Sequence, residues 1–136
     1  MPSQSSLKSA RWPLRCAVAA LLVAVLGLAG MALAQEAGAK DRIYVVSHVD
    51  LIPPQKDPGT KLVQQYVSDS RKDPGIVRIE AGYEISRANH ISIVEVWQNR
   101  KAFDEHVAAA HTRQFRQQVD PMLGSPYDER LHQSLE

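Results

Sequence analysis

The chain has one cysteine, Cys16, and none after that position. The rest of the sequence therefore has no intrachain disulfide, no paired-cysteine redox or metal motif and no cysteine nucleophile. It also lacks a glycine-rich phosphate loop, the glycine fingerprint of dinucleotide-binding folds and a Gly-x-Ser-x-Gly turn. These absences argue against a bound nucleotide cofactor and leave no evident residue for covalent catalysis.

The chain also lacks an excess of charge of either sign, since it has 16 basic and 15 acidic residues. Nucleic-acid-binding domains and proteins that bind anionic membranes usually carry a clear basic excess. Neither partner is predicted for this chain.

Long apolar runs are scarce, and the one present lies near the N-terminus. Residues 16–30 are apolar, follow a basic segment without acidic residues, and precede a small-x-small site, Ala32-Leu33-Ala34. This pattern predicts a secretory signal peptide at residues 1–34, cleaved between Ala34 and Gln35, and a periplasmic or secreted protein. The alternative is an uncleaved anchor, although the run is shorter than the ~20 residues that span a bilayer.

The remaining residues are enough for one domain. Residues 35–40 are small and show no pattern, which predicts a disordered tail before an α+β domain at residues 41–136. A domain of this size has a modest core and here has no disulfide to support it. Dimerisation is the expected supplement.

The predicted elements follow the order β-α-β-β-α-β. Alternating β-branched and polar residues predict strands at 41–51, 76–85, 90–97 and 127–135. Asp57-Pro58 predicts a helix with Asp57 as N-cap, and Asn99 predicts a second helix. The inward residues of that second helix are Ala102, Phe103, His106, Val107 and Ala110.

This order is the ferredoxin-like motif, in which helices cover one face of an antiparallel sheet. The other face also carries apolar side chains and needs a cover. A second copy of the sheet is the simplest one, so we expect a symmetric homodimer.

Side chains able to form a pocket are concentrated between residues 91 and 115. Glu95 and Trp97 share a strand face with Ile91 and Ile93. Glu95 needs a partner there, and two roles are open: orienting a histidine, or a structural bond to a backbone amide or to an arginine across the dimer. Trp97 either stacks on a substrate or packs in the core.

His106 and His111 are the candidate catalytic bases. Five residues apart on a continuous helix, they would point about 140° away from each other and would not share a metal ion. The run Ala108-Ala109-Ala110 could end one helix and begin another, which would bring the two rings together. Each histidine could instead cap or bridge helix ends.

The chain resembles the antibiotic-biosynthesis monooxygenase family, including its quinol-monooxygenase-like members. The similarity covers residues 43–123 and rests on three motifs: Asp73-Pro74-Gly75, Glu95-x-Trp97, and the series Phe103, His106, His111, Phe115. It implies a dimeric α+β barrel. The family includes monooxygenases, haem degraders and an isomerase, so the resemblance specifies the fold better than the chemistry.

The leading hypothesis is a cofactor-independent monooxygenase that oxidises a quinol or polyphenolic aromatic with molecular oxygen. His106, with His111 as the second candidate base, would remove a phenolic proton, and the ring would bind beside a set of pocket residues: Trp97, Glu95, Phe103, Tyr83 and His48. The alternatives are a non-catalytic periplasmic small-molecule-binding or stress module and an isomerase of a small carbonyl compound. No cofactor is predicted, because the motifs that bind one are absent. No metal is predicted either. A His48-x-Asp50 iron site with a distant histidine is the less favoured interpretation, because Asp50 lies just before Ile52-Pro53-Pro54, where a turn-forming aspartate is common.

Overall fold

The computed structural model describes residue 38 and residues 40–135. The predicted signal peptide, residues 1–34, lies outside the described residues, as does most of the predicted tail, of which Gly38 and Lys40 are exposed and helical. Among the described residues, no helix has the length and apolar character that crossing a membrane requires.

From residue 43 onward the chain forms four strands and three α-helices. In chain order these are β1 (Ile43–Asp50), α1 (Lys56–Ser70), β2 (Ile76–Glu84), β3 (Arg87–Trp97), α2 (Arg100–Ala108), α3 (Ala110–Val119) and β4 (Asp128–Gln133). Single 3₁₀ turns occupy Pro53–Gln55 and Asp120–Met122.

The strands form one antiparallel sheet in the order β2-β3-β1-β4. This is the ferredoxin-like topology, and the fold prediction is confirmed. Strand β1 lies between two neighbours, and its residues alternate between buried and more exposed, with Ile43, Val45, Ser47 and Val49 buried on the helix side. The core therefore lies between the sheet and the helices.

Two tight contacts set the position of the helices. Gly59 of α1 lies so close to Leu51 that a Cβ atom there would come within 2.5 Å of the leucine side chain. Gly75 has φ +83°, a conformation that other residues rarely adopt, and a Cβ there would come within 2.5 Å of the Ala102 Cβ. Glycine thus holds the loop before β2 close to the start of α2.

Several local predictions were wrong. Helix α1 begins before Asp57, with Gln55 as an N-cap that makes no side-chain bond, and Pro58 falls in the first turn, where no N–H is missed. Val107 is 41% exposed because it lies about a quarter-turn from the centre of the buried face of α2. The β2–β3 turn contains only residues 85–86, since β3 begins at Arg87.

Alternation along the predicted strand at 76–85 puts five residues on one apolar face, Val77, Ile79, Ala81, Tyr83 and Ile85. Of these, only Ile79 is buried. Tyr83 and Ile85 are 64% and 99% exposed. Strand β2 is an edge strand, and its second half lies in a hairpin that the helices do not cover. Alternation identified the strand, but it did not show how far the helix layer extends over it.

Candidate functional site

A buried carboxylate, Glu95, is the centre of a hydrogen-bond network on the helix side of the sheet. The Trp97 indole N–H donates to Glu95 Oε2 at 2.8 Å, and the Tyr66 hydroxyl donates to Glu95 Oε1 at 2.8 Å. Glu95 is only 1% exposed. Two donors therefore compensate for the burial of this carboxylate.

His106 extends the network from Tyr66 to Asp73. Its Nε2 lies 2.8 Å from the Tyr66 hydroxyl, and its Nδ1 lies 2.7 Å from Asp73 Oδ2. The imidazole also packs on Trp97, with ring centroids 4.5 Å apart. His106 is 3% exposed, and both its nitrogens are engaged, so its orientation is fixed.

A break between α2 and α3 brings His111 to the same place. Ala109 is extended, with ψ 149°, so α2 ends at Ala108 and α3 begins at Ala110. The interruption predicted from the alanine run is confirmed, and the His106 and His111 ring centroids are 5.6 Å apart. The objection that helical spacing separates the two rings therefore does not hold.

Asp73 and His111 form the end of the network that reaches the surface. His111 Nε2 lies 3.0 Å from Asp73 Oδ2, but not in line for an N–H···O bond. The His111 side chain is 25% exposed, and the Asp73 side chain is 16% exposed. A molecule arriving from solvent meets these two groups before it meets His106.

The proton of the Tyr66 hydroxyl determines which hydrogen bonds its neighbours in the network can make. Burial, reinforced by the charge of Glu95, raises the pKa of the Tyr66 phenol far above its ordinary value, so the hydroxyl keeps its proton. That proton is donated to Glu95, and Tyr66 can then only accept from His106 Nε2. A neutral His106 with its hydrogen on Nε2 presents a lone pair at Nδ1 to the Asp73 carboxylate. In that tautomer the contact between His106 Nδ1 and Asp73 Oδ2 is favourable only when a proton or another cation is bound there.

The structure divides the predicted site residues into two groups. Glu95, Trp97, Phe103, His106 and His111 lie together on the helix side. Trp97 and Phe103 are 0% and 4% exposed, which places them behind His106, in the core rather than on a surface open to a ligand.

His48 and Tyr83 are not part of this cluster. Both line a concavity of about 860 Å³ that includes residues of the open sheet face. His48 Nδ1 contacts the Ser92 hydroxyl at 3.1 Å, whereas Asp50 pairs with His90 at 2.6 Å. His48 and Asp50 therefore have separate partners and do not form an iron site with His106.

Sequence reasoning missed Tyr66 and Asp73 as site residues. The residue pattern of α1 does not distinguish Tyr66 from its apolar neighbours, and Asp73 is recognisable only as part of the Asp73-Pro74-Gly75 motif. The sequence does contain one signal for Tyr66. Its hydroxyl lies on an apolar helix face, and the Glu95 carboxylate lies on an apolar strand face. Because buried polar groups need partners, these two groups can be expected to meet.

Fold and site together define a class: a ferredoxin-like α+β protein with a histidine–carboxylate network between sheet and helices. The profile of the antibiotic biosynthesis monooxygenase family matches residues 42–118, more than half of the chain. The chain belongs to this family.

The chain is also similar to several individual proteins. The uncharacterised protein sll1783 of Synechocystis is 26% identical over 99 residues, covering 73% of this chain and 67% of that protein. A conserved Methanosarcina mazei protein superposes with a TM-score of 0.67 at 14% identity, covering 71% of this chain and 96% of that chain. Rv0793 of Mycobacterium tuberculosis gives 0.66 at 19% identity, with 70% and 96% covered, and an antibiotic biosynthesis monooxygenase gives 0.66 at 18%, with 69% and 99% covered. At such identities the structures show the fold alone.

Proposed function

We propose that this protein is a monooxygenase that oxidises a quinol or a related polyphenolic ring with molecular oxygen. Family membership supports the reaction class. The observation that carries the proposal is the network Asp73–His106–Tyr66–Glu95, in which histidine nitrogens lie beside carboxylate oxygens and which reaches solvent at Asp73 and His111. Such a site is suited to accept a proton from a phenol.

Proton removal is the step in which the protein can assist most. A quinol that loses a hydroxyl proton becomes an electron-rich anion, which reacts with oxygen far more readily than the neutral ring. One oxygen atom then enters the ring and the other leaves as water, and the quinol supplies all the electrons. A bound redox cofactor is not needed for this balance.

The roles of the two histidines follow from their exposure. The side chains of His111 and Asp73, 25% and 16% exposed, are the groups that a substrate hydroxyl can reach, although His111 Nε2 itself is buried against Asp73. His106, buried with both nitrogens engaged, positions Asp73 and stabilises the proton once it has been taken up. A general base in this position typically contributes about 100-fold to 10,000-fold in rate.

Oxygen uptake with a chemically reduced naphthoquinone tests the proposal. We expect consumption above the spontaneous rate, reduced about 100-fold or more in His111→Ala and in His106→Ala. His132→Ala, which removes an exposed imidazole from β4, is the matched control and should keep full activity. No uptake above the spontaneous rate, or full activity in His106→Ala, would sink the proposal. Product formed equally well without air would instead indicate an isomerase, and ligand binding without product a binding module.

We also propose that the protein forms a homodimer through the open face of the sheet. Tyr44, Val46, Val94 and Val96 are neighbours in the register of β1 and β3 on that face. Val94 is 42% exposed, and no helix covers it. An apolar patch in the middle of a sheet is best covered by a copy of itself, because a two-fold axis pairs identical surfaces.

A charge placed in this patch should break the dimer. We expect Val94→Asp to shift the protein from dimer to monomer in analytical ultracentrifugation, because an unpaired carboxylate would be buried in the interface. Val77→Asp is the matched control, since Val77 is equally exposed, at 45%, but lies in a bulge of the edge strand β2. A wild-type protein that sediments as a monomer would refute the proposal.

A further inference from the structure

Three potential metal ligands converge at the surface end of the network. Asp73, His106 and His111 each direct one ligand atom into a space where these atoms all lie within 4.8 Å of one another. Asp73 Oδ2 is 2.7 Å from His106 Nδ1 and 3.0 Å from His111 Nε2. The three residues come from the α1–β2 loop, from α2 and from the start of α3, so the fold itself assembles the cluster.

The hydrogen-bond directions show that these atoms face each other as acceptors. When the hydroxyl of Tyr66 donates its hydrogen to Glu95, the matching tautomer of His106 carries its hydrogen on Nε2. The lone pair on His106 Nδ1 then faces a carboxylate oxygen 2.7 Å away, and such a contact is repulsive unless both atoms bind the same proton or the same metal ion. His111 Nε2 is buried at the same oxygen without an aligned hydrogen bond.

We infer that Asp73, His106 and His111 form a binding site for a divalent transition-metal ion. Two imidazoles and one carboxylate suit zinc, cobalt, nickel or ferrous iron, whereas magnesium and calcium prefer all-oxygen ligands. Ligands at about 2.1 Å from an ion and at right angles to each other lie about 3.0 Å apart. The two separations from Asp73 Oδ2, 2.7 and 3.0 Å, are close to this value, and all three ligand atoms lie within 4.8 Å of one another.

The groups around the cluster are those that a metal-binding histidine requires. Such a histidine usually donates its second ring N–H to a neighbour, which fixes the tautomer and the ring orientation. His106 Nε2 does so to Tyr66, which is held by Glu95, which in turn accepts from Trp97. With an ion at Nδ1, His106 Nε2 donates to Tyr66, and Tyr66 and Trp97 donate to the two oxygens of Glu95. The Thr112 hydroxyl also lies beside the His106 ring, 3.3 Å from Nδ1 and 3.4 Å from Nε2.

The loop that carries Asp73 is also fixed in place. The backbone N–H of Asp73 donates to the Ser70 carbonyl at 3.1 Å, and the N–H of Gln98 donates to the Gly75 carbonyl at 2.8 Å. Gly75 itself packs against Ala102 of α2. The ligands are therefore held without an ion, and three protein ligands leave further coordination positions for solvent or a substrate oxygen.

This inference concerns the site of the proposed function but does not depend on the oxygenase reaction. A metal ion would take the position in which the proposed mechanism stores the substrate proton. The two ideas consequently make different predictions for protein freed of metal by a chelator.

Titration of chelator-treated protein with Co²⁺ and Zn²⁺ tests the site directly. Calorimetry should give a single Zn²⁺ per chain, and Co²⁺ should produce visible d–d absorption bands with the same stoichiometry. Asp73→Asn and His111→Ala should abolish both signals, while His132→Ala should leave them unchanged. Tyr66→Phe, which keeps all three ligands, should weaken binding by about 10-fold to 100-fold.

Two outcomes would overturn the inference: no saturable binding by the wild-type protein, or unchanged binding in both Asp73→Asn and His111→Ala. Circular dichroism of each variant checks that it is folded, and both altered residues are partly exposed, which favours folding. Metal binding without oxygen uptake by the metal-loaded protein would support the site and refute the oxygenase. Oxygen uptake by wild-type protein that binds no metal would support the oxygenase and refute the metal site.

Discussion

Trp97→Ala is expected to lower the free energy of unfolding by about 3–5 kcal/mol, the usual cost of removing a large aromatic side chain from a core. Trp97 is fully buried and packs against His106 and Phe103, with centroid distances of 4.5 and 6.4 Å. The substitution also removes the N–H that donates to Glu95. Since domains of this size have about 5–15 kcal/mol of stability, most of it could be lost.

Urea denaturation followed by circular dichroism measures this effect, because one of the two tryptophans that fluorescence would report is the residue removed. Trp97→Phe separates packing from hydrogen bonding: it keeps a ring but leaves Glu95 short of one donor, at a cost of about 1–3 kcal/mol. Val107→Ala, at a half-exposed position of α2, should cost well under 1 kcal/mol. A similarly small loss for Trp97→Ala would mean that the site is not part of the core.

The fold could be predicted where the alternation of side chains along a strand agrees with the layers that cover that strand in the structure. Strand β1 has neighbours on both sides and helices over one face, so its alternation of side chains agrees with its burial. Strand β2 shows an equally regular alternation, but it lies at the sheet edge and only Ile79 is buried. Alternation determines which residues share a face, and the extent of the neighbouring layer determines whether that face is covered.

The candidate site was predictable only in part, for the same reason. Glu95, Trp97, His106 and His111 lie within one short segment, and their residue types drew attention to it. Tyr66 is 29 residues before Glu95, and Asp73 is 33 residues before His106. A single sequence does not show which distant polar groups meet. Within the chain, Glu95 accepts hydrogen bonds from Tyr66 and Trp97.

The network relates stability to chemistry, because the same bonds that compensate for the buried Glu95 also fix the His106 tautomer. If Glu95 accepts from Tyr66, the Nδ1 of a neutral His106 must face Asp73 as a lone pair. Either a proton or a metal ion can be bound at that position. The direction of one hydrogen bond, from Tyr66 to Glu95, therefore underlies both proposals.

Tyr66→Phe tests that bond with the loss of a single oxygen atom. We expect the free energy of unfolding to fall by at least about 2 kcal/mol, because two buried groups, Glu95 Oε1 and His106 Nε2, each lose a partner at about 1–3 kcal/mol. The phenylalanine ring still stacks on Phe115, now 4.2 Å from the Tyr66 ring, so packing is preserved. Tyr83→Phe removes the same atom from a 64% exposed side chain and should change stability by less than about 0.5 kcal/mol.

A double-mutant cycle with Glu95→Gln identifies the partner. The glutamine keeps the size of Glu95 but offers only one acceptor oxygen to two donors, so it should destabilise the protein on its own. If Tyr66 donates to Glu95, the double variant should cost less than the sum of the single variants, with a coupling of about 0.5–3 kcal/mol. Strict additivity would mean that the Tyr66 proton goes to His106 instead. His106 Nδ1 would then carry a hydrogen toward Asp73, and the argument for a cation at that position would fail.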